Sequence, residues 1–225
     1  MEKRQLFDEW PEAYDRWFAT PIGALVKKYE SELILDLLKP RHGELILDAG
    51  CGTGVFTLDM LSLKTRMIGL DISLPMLRRA KAKAESHAFQ IILGDMLNLP
   101  SRTSSFDKVV SITALEFIED GEAAVKELFR ATRRGGLVVV GTLNRLSPWA
   151  ERRKAEAKKK PSIFEKAIFR SPDELASLAP VECRIKTAVH FQDEERPDRA
   201  IKIEREGQVK GLETGAFVAA CWQKP

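Results

Sequence analysis

A chain of 225 residues, 44% of them hydrophobic, can bury one sizeable core and reads as one domain with decorations. No window approaches the roughly 20 apolar residues of a membrane span, and Met1-Glu2-Lys3-Arg4 leads into a charged aromatic segment and not a signal-peptide core, so a cytoplasmic protein is expected. The formal net charge is only +3, and Cys51, Cys183 and Cys221 are odd in number and far apart, as are His42, His87 and His190, a pattern that suits reduced thiols better than a disulfide framework and disfavours zinc.

In chain order, Trp10, Tyr14, Trp17 and Phe18 recur at helical spacing before Thr20-Pro21-Ile22-Gly23, and residues 1–40 read as an N-terminal helical lid. Such an aromatic stripe also reads as plain core. A short apolar strand over 44–48 runs into the glycine-rich turn Leu47-Asp48-Ala49-Gly50-Cys51-Gly52-Thr53-Gly54, and Val55 to Leu61 resumes helical spacing. The next strand, 66–70, ends at Asp71, and Ser73 caps a helix opening Leu74-Pro75-Met76. Strand 89–93 gives way to Gly94-Asp95-Met96. Strand 107–112 leads through Ser111 to Phe117 to a helix capped by Asp120, with Gly135 placed as a helix C-cap before strand 137–142.

Ser147-Pro148 starts a helix in a basic insertion, 144–170, where residues 151–170 carry eight Lys or Arg against three Glu. Ser171-Pro172-Asp173-Glu174 combines an N-cap, a first-turn proline and a capping-box glutamate. Two strands near 182–190 and 215–222 follow, joined by a long charged connection with no clear helix. The sum is one α/β domain, a Rossmann-like doubly wound and mostly parallel seven-stranded sheet with an antiparallel C-terminal hairpin strand.

The glycine turn carries the chemistry. A side chain at Gly50 or Gly52 would fill space that a ligand needs, and free amides at the following helix start favour a carboxylate or phosphate. A dinucleotide fingerprint reads G-x-G-x-x-G, whereas here the spacing is G-x-G-x-G with Asp48 two positions ahead, which favours S-adenosylmethionine over NAD. The Leu47 to Gly54 run, Asp71, Gly94-Asp95-Met96, Phe106-Asp107-Lys108-Val109-Val110-Ser111 and Arg133-Arg134-Gly135-Gly136-Leu137 fall in order. Together they resemble the class I S-adenosylmethionine-dependent methyltransferases, in particular the small-molecule branch containing the ubiquinone and menaquinone biosynthesis enzymes.

The resemblance implies S-adenosylmethionine as cofactor, with S-adenosylhomocysteine as product. It places Asp48, Gly50, Cys51, Gly52, Gly54, Asp71, Ile72, Met76, Asp95, Met96, Thr113 and Tyr14 about the cofactor. Asp71 would accept from the ribose hydroxyls, Asp95 from the adenine amino group, and Asp48 would hold the loop and the methionine amino end, while Cys51 is a spacer in the motif. Trp17, Phe117, Asn144 and Trp149 are the candidates for the acceptor side.

Where the family often shows Leu-Glu-His this chain has Leu115-Glu116-Phe117, and a phenyl ring cannot accept a proton. Glu116, His190 and Tyr14 remain as catalytic candidates, and none is singled out. No Asn-Pro-Pro-Tyr run and no Pro-Cys nucleophile is present, which disfavours methylation of DNA amino groups and of pyrimidine carbons. The expected reaction is in-line displacement onto a small, rather apolar acceptor such as a thiol, amine, quinol or lipid.

Alternatives stay open. The basic segment reads as a solvated face, as a surface for an anionic membrane or anionic substrate, or as an RNA contact centred on Lys158 to Lys160. An RNA methyltransferase and a non-catalytic cofactor-binding sensor or partner subunit are the competing functions. Oligomeric state is not encoded in any visible motif.

Overall fold

The computed structural model describes residues 5–84, 88–159 and 162–225; the lead Met1 to Arg4, His87 and Lys160 lie outside them. Helices α1 (Pro11–Phe18) and α2 (Pro21–Leu38) precede β1 (Leu45–Ala49), α3 (Thr57–Ser62), β2 (Arg66–Asp71), α4 (Leu74–Lys83) and β3 (Phe89–Leu93). Then come β4 (Phe106–Ile112), α5 (Gly121–Ala131), β5 (Thr132–Leu143), α6 (Pro148–Ala157), α7 (Pro172–Ala176), β6 (Cys183–Ala188), α8 (Pro197–Lys210) and β7 (Phe217–Gln223). The sheet order is β3-β2-β1-β4-β5-β7-β6, parallel from β3 to β5 and antiparallel where β7 inserts between β5 and β6.

Local signals explain most boundaries. The side chains of Thr20, Ser73, Asp120, Ser147 and Ser171 each accept a backbone N–H of the helix they open, and Ser171 with Glu174 closes a full capping box. The strands are short β-branched or aliphatic runs covered on both faces, as a parallel sheet requires. On one face α2 buries Val26, Ile34, Leu37 and Leu38 with Val110, Val139, Phe217 and Cys221. On the other, Val125 and Leu128 of α5 and Leu175 of α7 pack with Val138, Val140 and Trp222. Among the described residues no helix is long and apolar enough to cross a membrane.

Two local expectations are corrected. The charged connection between the last two strands is a 14-residue helix, α8, ended by Gly211 in the left-handed region at φ 61°. Its buried face is Ala200, Glu204 and Gly207, spaced four and three apart but nearly free of apolar side chains, so hydrophobic periodicity could not reveal it. Gly207 is small because the His190 ring lies where its Cβ would stand, 2.3 Å from the ring's Cγ. Gly135, expected as a helix C-cap, lies four residues past the end of α5. It occupies an excursion at the start of β5, where its amide donates to the Lys224 carbonyl.

Candidate functional site

In a sheet of this order the chain reverses its direction of winding between β1 and β4, and the crevice beyond their carboxyl ends is where ligands of open α/β sheets bind. A cavity of about 320 Å³ opens there. The β1 end supplies Asp48 and the glycine turn, the β2 end Asp71 and Ile72, the β3 end Asp95 and Met96, and the β4 end Thr113. Met76 reaches it from α4 and Tyr14 from α1. Of the residues expected about the cofactor, only Gly54 does not line this cavity; it packs against Ala80 of α4, where a Cβ would come within 3.2 Å.

The turn is pinned before any ligand arrives. The amides of Gly50 and Cys51 both donate to the Leu70 carbonyl at 2.7 and 3.0 Å, which ties β1's turn to β2. Gly50 has φ +80°, and a Cβ there would stand 2.4 Å from the Ala114 Cβ. A Cβ at Gly52 would meet nothing within 4 Å, so the cavity side of the turn is open for close approach by a ligand. Asp71 accepts from Gly52 N and Ser73 N, both at 2.8 Å, one on each oxygen. It therefore braces the turn and the start of α4, yet each carboxylate oxygen keeps a second lone pair for a diol. These features fit the nucleoside and amino-acid ends of S-adenosylmethionine.

Asp48 is buried and accepts from Thr57 Oγ1 at 2.6 Å. Burial pushes its carboxyl up to about 7, aided by the Asp71 charge and opposed by the Thr57 bond. Burial, Asp48 and Asp71 push the Cys51 thiol well above its usual value, so it stays protonated and is no nucleophile. Asp95 is exposed and caps a short turn by accepting from Leu97 N at 2.9 Å, while Met76 and Met96 are buried beside it.

A second cavity, about 370 Å³, shares Phe7, Tyr14, Thr113 and Phe117 with the first. The aromatic stripe of α1 borders it: Trp10 and Trp17 line it and are exposed, while Phe18 lines it and packs against the core at Phe56, so the stripe is only partly core. Trp149, Phe164 and Arg153 close the opposite side, with the guanidinium 5.1 and 4.7 Å from the Trp149 and Phe164 ring centres. Trp149 is oriented by its N–H donating to the Phe191 carbonyl at 2.6 Å. Glu116 and Glu30 lie in this wall, both buried.

Helix α1 is clamped over both cavities by Asp15, which accepts from Thr53 Oγ1 at 2.6 Å and from Arg79 Nε and Lys83 Nζ at 2.8 Å. Tyr14 contacts Thr113 Oγ1 at 3.4 Å, and Thr113 holds φ +49°, an unusual conformation for a β-branched residue. Burial raises the Tyr14 pKa, as do the charges of Glu30, Glu116 and Asp48, so its hydroxyl is a donor and not a base.

Two sequence candidates fall away. His190 is turned from both cavities and locked to α8: its amide and Nδ1 meet Glu204 Oε2 at 2.6 and 3.1 Å, and Nε2 lies 3.0 Å from the Leu212 carbonyl. Burial lowers its pKa, but Glu204 and Leu212 outweigh burial and the net direction is up. Asn144 is fully buried and its amide is used up by the carbonyls of Glu213 and Gly215 and by Leu146 N, stapling β5 to the approach of β7. Sequence reading missed Glu30, Arg153, Phe7 and Asp15. Glu30 had a signal: it lies four residues after Val26 and four before Ile34, on the apolar face of α2.

Comparison with known proteins agrees with this geometry. The profile of the methyltransferase domain family matches residues 47–140. An uncharacterized Methanocaldococcus jannaschii protein, MJ1123, is 30% identical over 173 residues, 77% of this chain and 78% of that one. The malonyl-[acyl-carrier protein] O-methyltransferase of Serratia marcescens is 32% identical over 121 residues, 54% of this chain and 47% of that one. The chain thus spans about half the length, or less, of the curated methyltransferases it matches. A Thermotoga maritima structure described as a S-adenosylmethionine-dependent methyltransferase, possible histamine N-methyltransferase, superposes with a TM-score of 0.76 at 25% identity, covering 98% of each chain. With the glycine turn, the acidic end of β2 and the sheet order already in place, these matches show that the chain belongs to the class I S-adenosylmethionine-dependent methyltransferases.

Proposed function

We propose that the chain moves a methyl group, by in-line displacement, from S-adenosylmethionine in the first cavity to a small acceptor in the second. The shared wall carries this reading: Phe7, Tyr14, Thr113 and Phe117 line both cavities, so reactants in each meet across it. The cofactor supplies an electrophilic methyl group on a sulfonium. The chain's share is placement, and alignment of two bound reactants lowers a barrier by roughly 7 to 11 kcal/mol.

In this reading Asp71 takes the ribose hydroxyls, Asp48 and the glycine turn take the amino-acid end, and Asp95 with Ile72, Met76 and Met96 takes the adenine. Helix α1, held by Asp15, is the lid that keeps water out. Glu116, raised by burial to about 7, is the proton acceptor for any acceptor that arrives protonated.

The test is calorimetric titration of S-adenosylmethionine and S-adenosylhomocysteine into the wild type and Asp71→Ala, followed by methyl-transfer assays on thiol, amine, quinol and lipid acceptors. The variant is expected to bind both nucleosides about 10- to 100-fold more weakly, the cost of losing a charged acceptor. Unchanged binding in Asp71→Ala removes the assignment. A second reading rests on the malonyl-[acyl-carrier protein] relatives and the exposed Lys154, Lys158 and Lys159 on the segment that lends Arg152 and Arg153 to the second cavity: an acceptor tethered to an acidic carrier protein. A carrier-bound acyl substrate that outperforms every free acceptor would favour it.

A further inference from the structure

The second cavity contains what the first does not, buried carboxyl oxygens with nothing to bind. Glu30 projects from the middle of α2 and Glu116 from the turn after β4, and they are 4% and 0% exposed. Among the described residues Glu30 Oε2 and Glu116 Oε1 have no hydrogen-bond partner, whereas Glu116 Oε2 accepts from Thr142 Oγ1 at 3.0 Å. A buried acceptor left unsatisfied costs about 1–3 kcal/mol, and more when charged. Native structures seldom carry two such groups in one cavity wall without water or a ligand to supply donors.

The charges select the kind of donor. Arg152 is paired with Asp193, so the balance rests on Glu30, Glu116 and the exposed Glu156 against Arg153 and, through its action on Glu116, Arg170. Burial alone favours the protonated carboxyls of Glu30 and Glu116, and a cation beside them favours the ionised forms, in which three carboxylates face two guanidiniums and one positive charge is wanting. A monocation restores neutrality, a neutral hydroxyl leaves the deficit, and an anion deepens it. Aromatic faces from Trp10, Trp17, Phe18 and Phe117 line the same space and favour a cation there.

Resting on the methyl-transfer reading above, we propose that the second cavity selects an amine acceptor and takes it up as an ammonium ion, with Glu30 and Glu116 receiving its N–H groups and the aromatic walls holding its carbon skeleton. The proton balance follows. An ammonium, R–NH3+, gives one proton to a Glu carboxylate and becomes R–NH2. The nitrogen pair then forms the N–C bond while the C–S bond breaks with its electrons left on sulfur. The product, R–NH2–CH3+, is again a cation, and one proton is released overall. Burial sets Glu30 at about 8 and Glu116 at about 7, a range in which either can take that proton and return it to water.

Three of the four tryptophans, Trp10, Trp17 and Trp149, line the cavity, so intrinsic fluorescence reports its occupancy without turnover. Phenethylamine, phenylethanol and phenylpropionate, matched in skeleton and different in charge, are titrated into protein saturated with S-adenosylhomocysteine. The amine is expected to bind about tenfold or more tightly than either analogue. Glu30→Gln and Glu116→Gln are each expected to weaken the amine about tenfold and to leave S-adenosylhomocysteine affinity unchanged. Preference for the alcohol or carboxylate, failure of the amine to bind, or full amine affinity in both Gln variants overturns the proposal. The wild-type comparison decides even if a variant fails to fold. Failure of S-adenosylhomocysteine itself to bind strikes instead at the methyl-transfer reading.

Discussion

The two cavities meet at Tyr14 and are built on opposite plans. In the first, Asp71, Asp95 and Asp48 are each held by a near neighbour in the fold: backbone amides for Asp71 and Asp95, the Thr57 hydroxyl for Asp48. In the second, Glu30 and Glu116 come from segments 86 positions apart and each leaves an oxygen unpartnered. The first cavity is therefore organised by strand ends whatever it binds. The second is organised by α1, α2 and the start of α6 and is completed only by its ligand, a difference that suits a constant cofactor and a selected acceptor.

The largest effect expected is confined to the first cavity. Gly50→Val places a branched side chain at φ +80° against Ala114, and affinity for S-adenosylhomocysteine should fall by about a hundredfold or more. Calorimetry beside a circular dichroism melt checks this; undiminished affinity would mean that the turn is not where the ligand runs.

Next comes the second cavity, through stability and not binding. Glu30 moves from 4.5 to about 8 on folding, so between those values the folded chain keeps a proton that the unfolded chain has released. Stability from this group therefore declines as pH rises through that window and is lowest above it. Glu30→Gln removes the ionisation and should melt higher than the wild type at about pH 9, by roughly 5 °C for about 2 kcal/mol, with the gap closing toward about pH 5. A gap of the opposite sign would show that Glu30 is stabilised as a carboxylate in the folded chain.

Asp15→Asn acts on the wall the cavities share. The carboxylate gathers Thr53, Arg79 and Lys83, and its loss should loosen α1 and weaken ligands of both cavities about fivefold together. Weakening of only one ligand would show that α1 serves one cavity alone. The smallest effect is expected from Lys158→Ala with Lys159→Ala, exposed residues whose removal should leave methylation of a free small acceptor unchanged. A salt-dependent RNA affinity lost in that variant would instead favour RNA as the substrate.

The contrast between the cavities is also the contrast between what the sequence reveals and what it hides. Gly50, Asp71 and Asp95 each sit at or just past a strand end within a short motif, so spacing identifies them, although Gly50 and Asp71 bond across to the neighbouring strand's end. The caps Ser73, Asp120, Ser147 and Ser171 are equally legible, because each accepts from the backbone amide three residues on. Glu116 was recognisable as a candidate because it follows β4, but its pairing with Glu30 and Arg153 is a product of tertiary packing. His190 shows the reverse error: its position just past a strand whose carboxyl end faces the ligand edge is as expected, yet Glu204 draws it onto α8. That helix was invisible because its buried face is Ala200, Glu204 and Gly207, two of which pack against His190.

The placement of β7 has a bearing on how the chain reaches this state. Each of its residues from Phe217 to Trp222 is matched on both sides, as Cys221 is by Val139 and Arg184, and among the described residues β6 has no other strand beside it. During synthesis β6 emerges well before its only neighbour and cannot join the sheet until β7 threads in between. The β1 to β5 half can pair in parallel while this happens, so assembly of the sheet ends with a long-range antiparallel insertion. Until that insertion the α2 face of β5 has no Phe217 or Cys221 against it, and folding intermediates of this chain should expose that apolar face and bind a hydrophobic dye there.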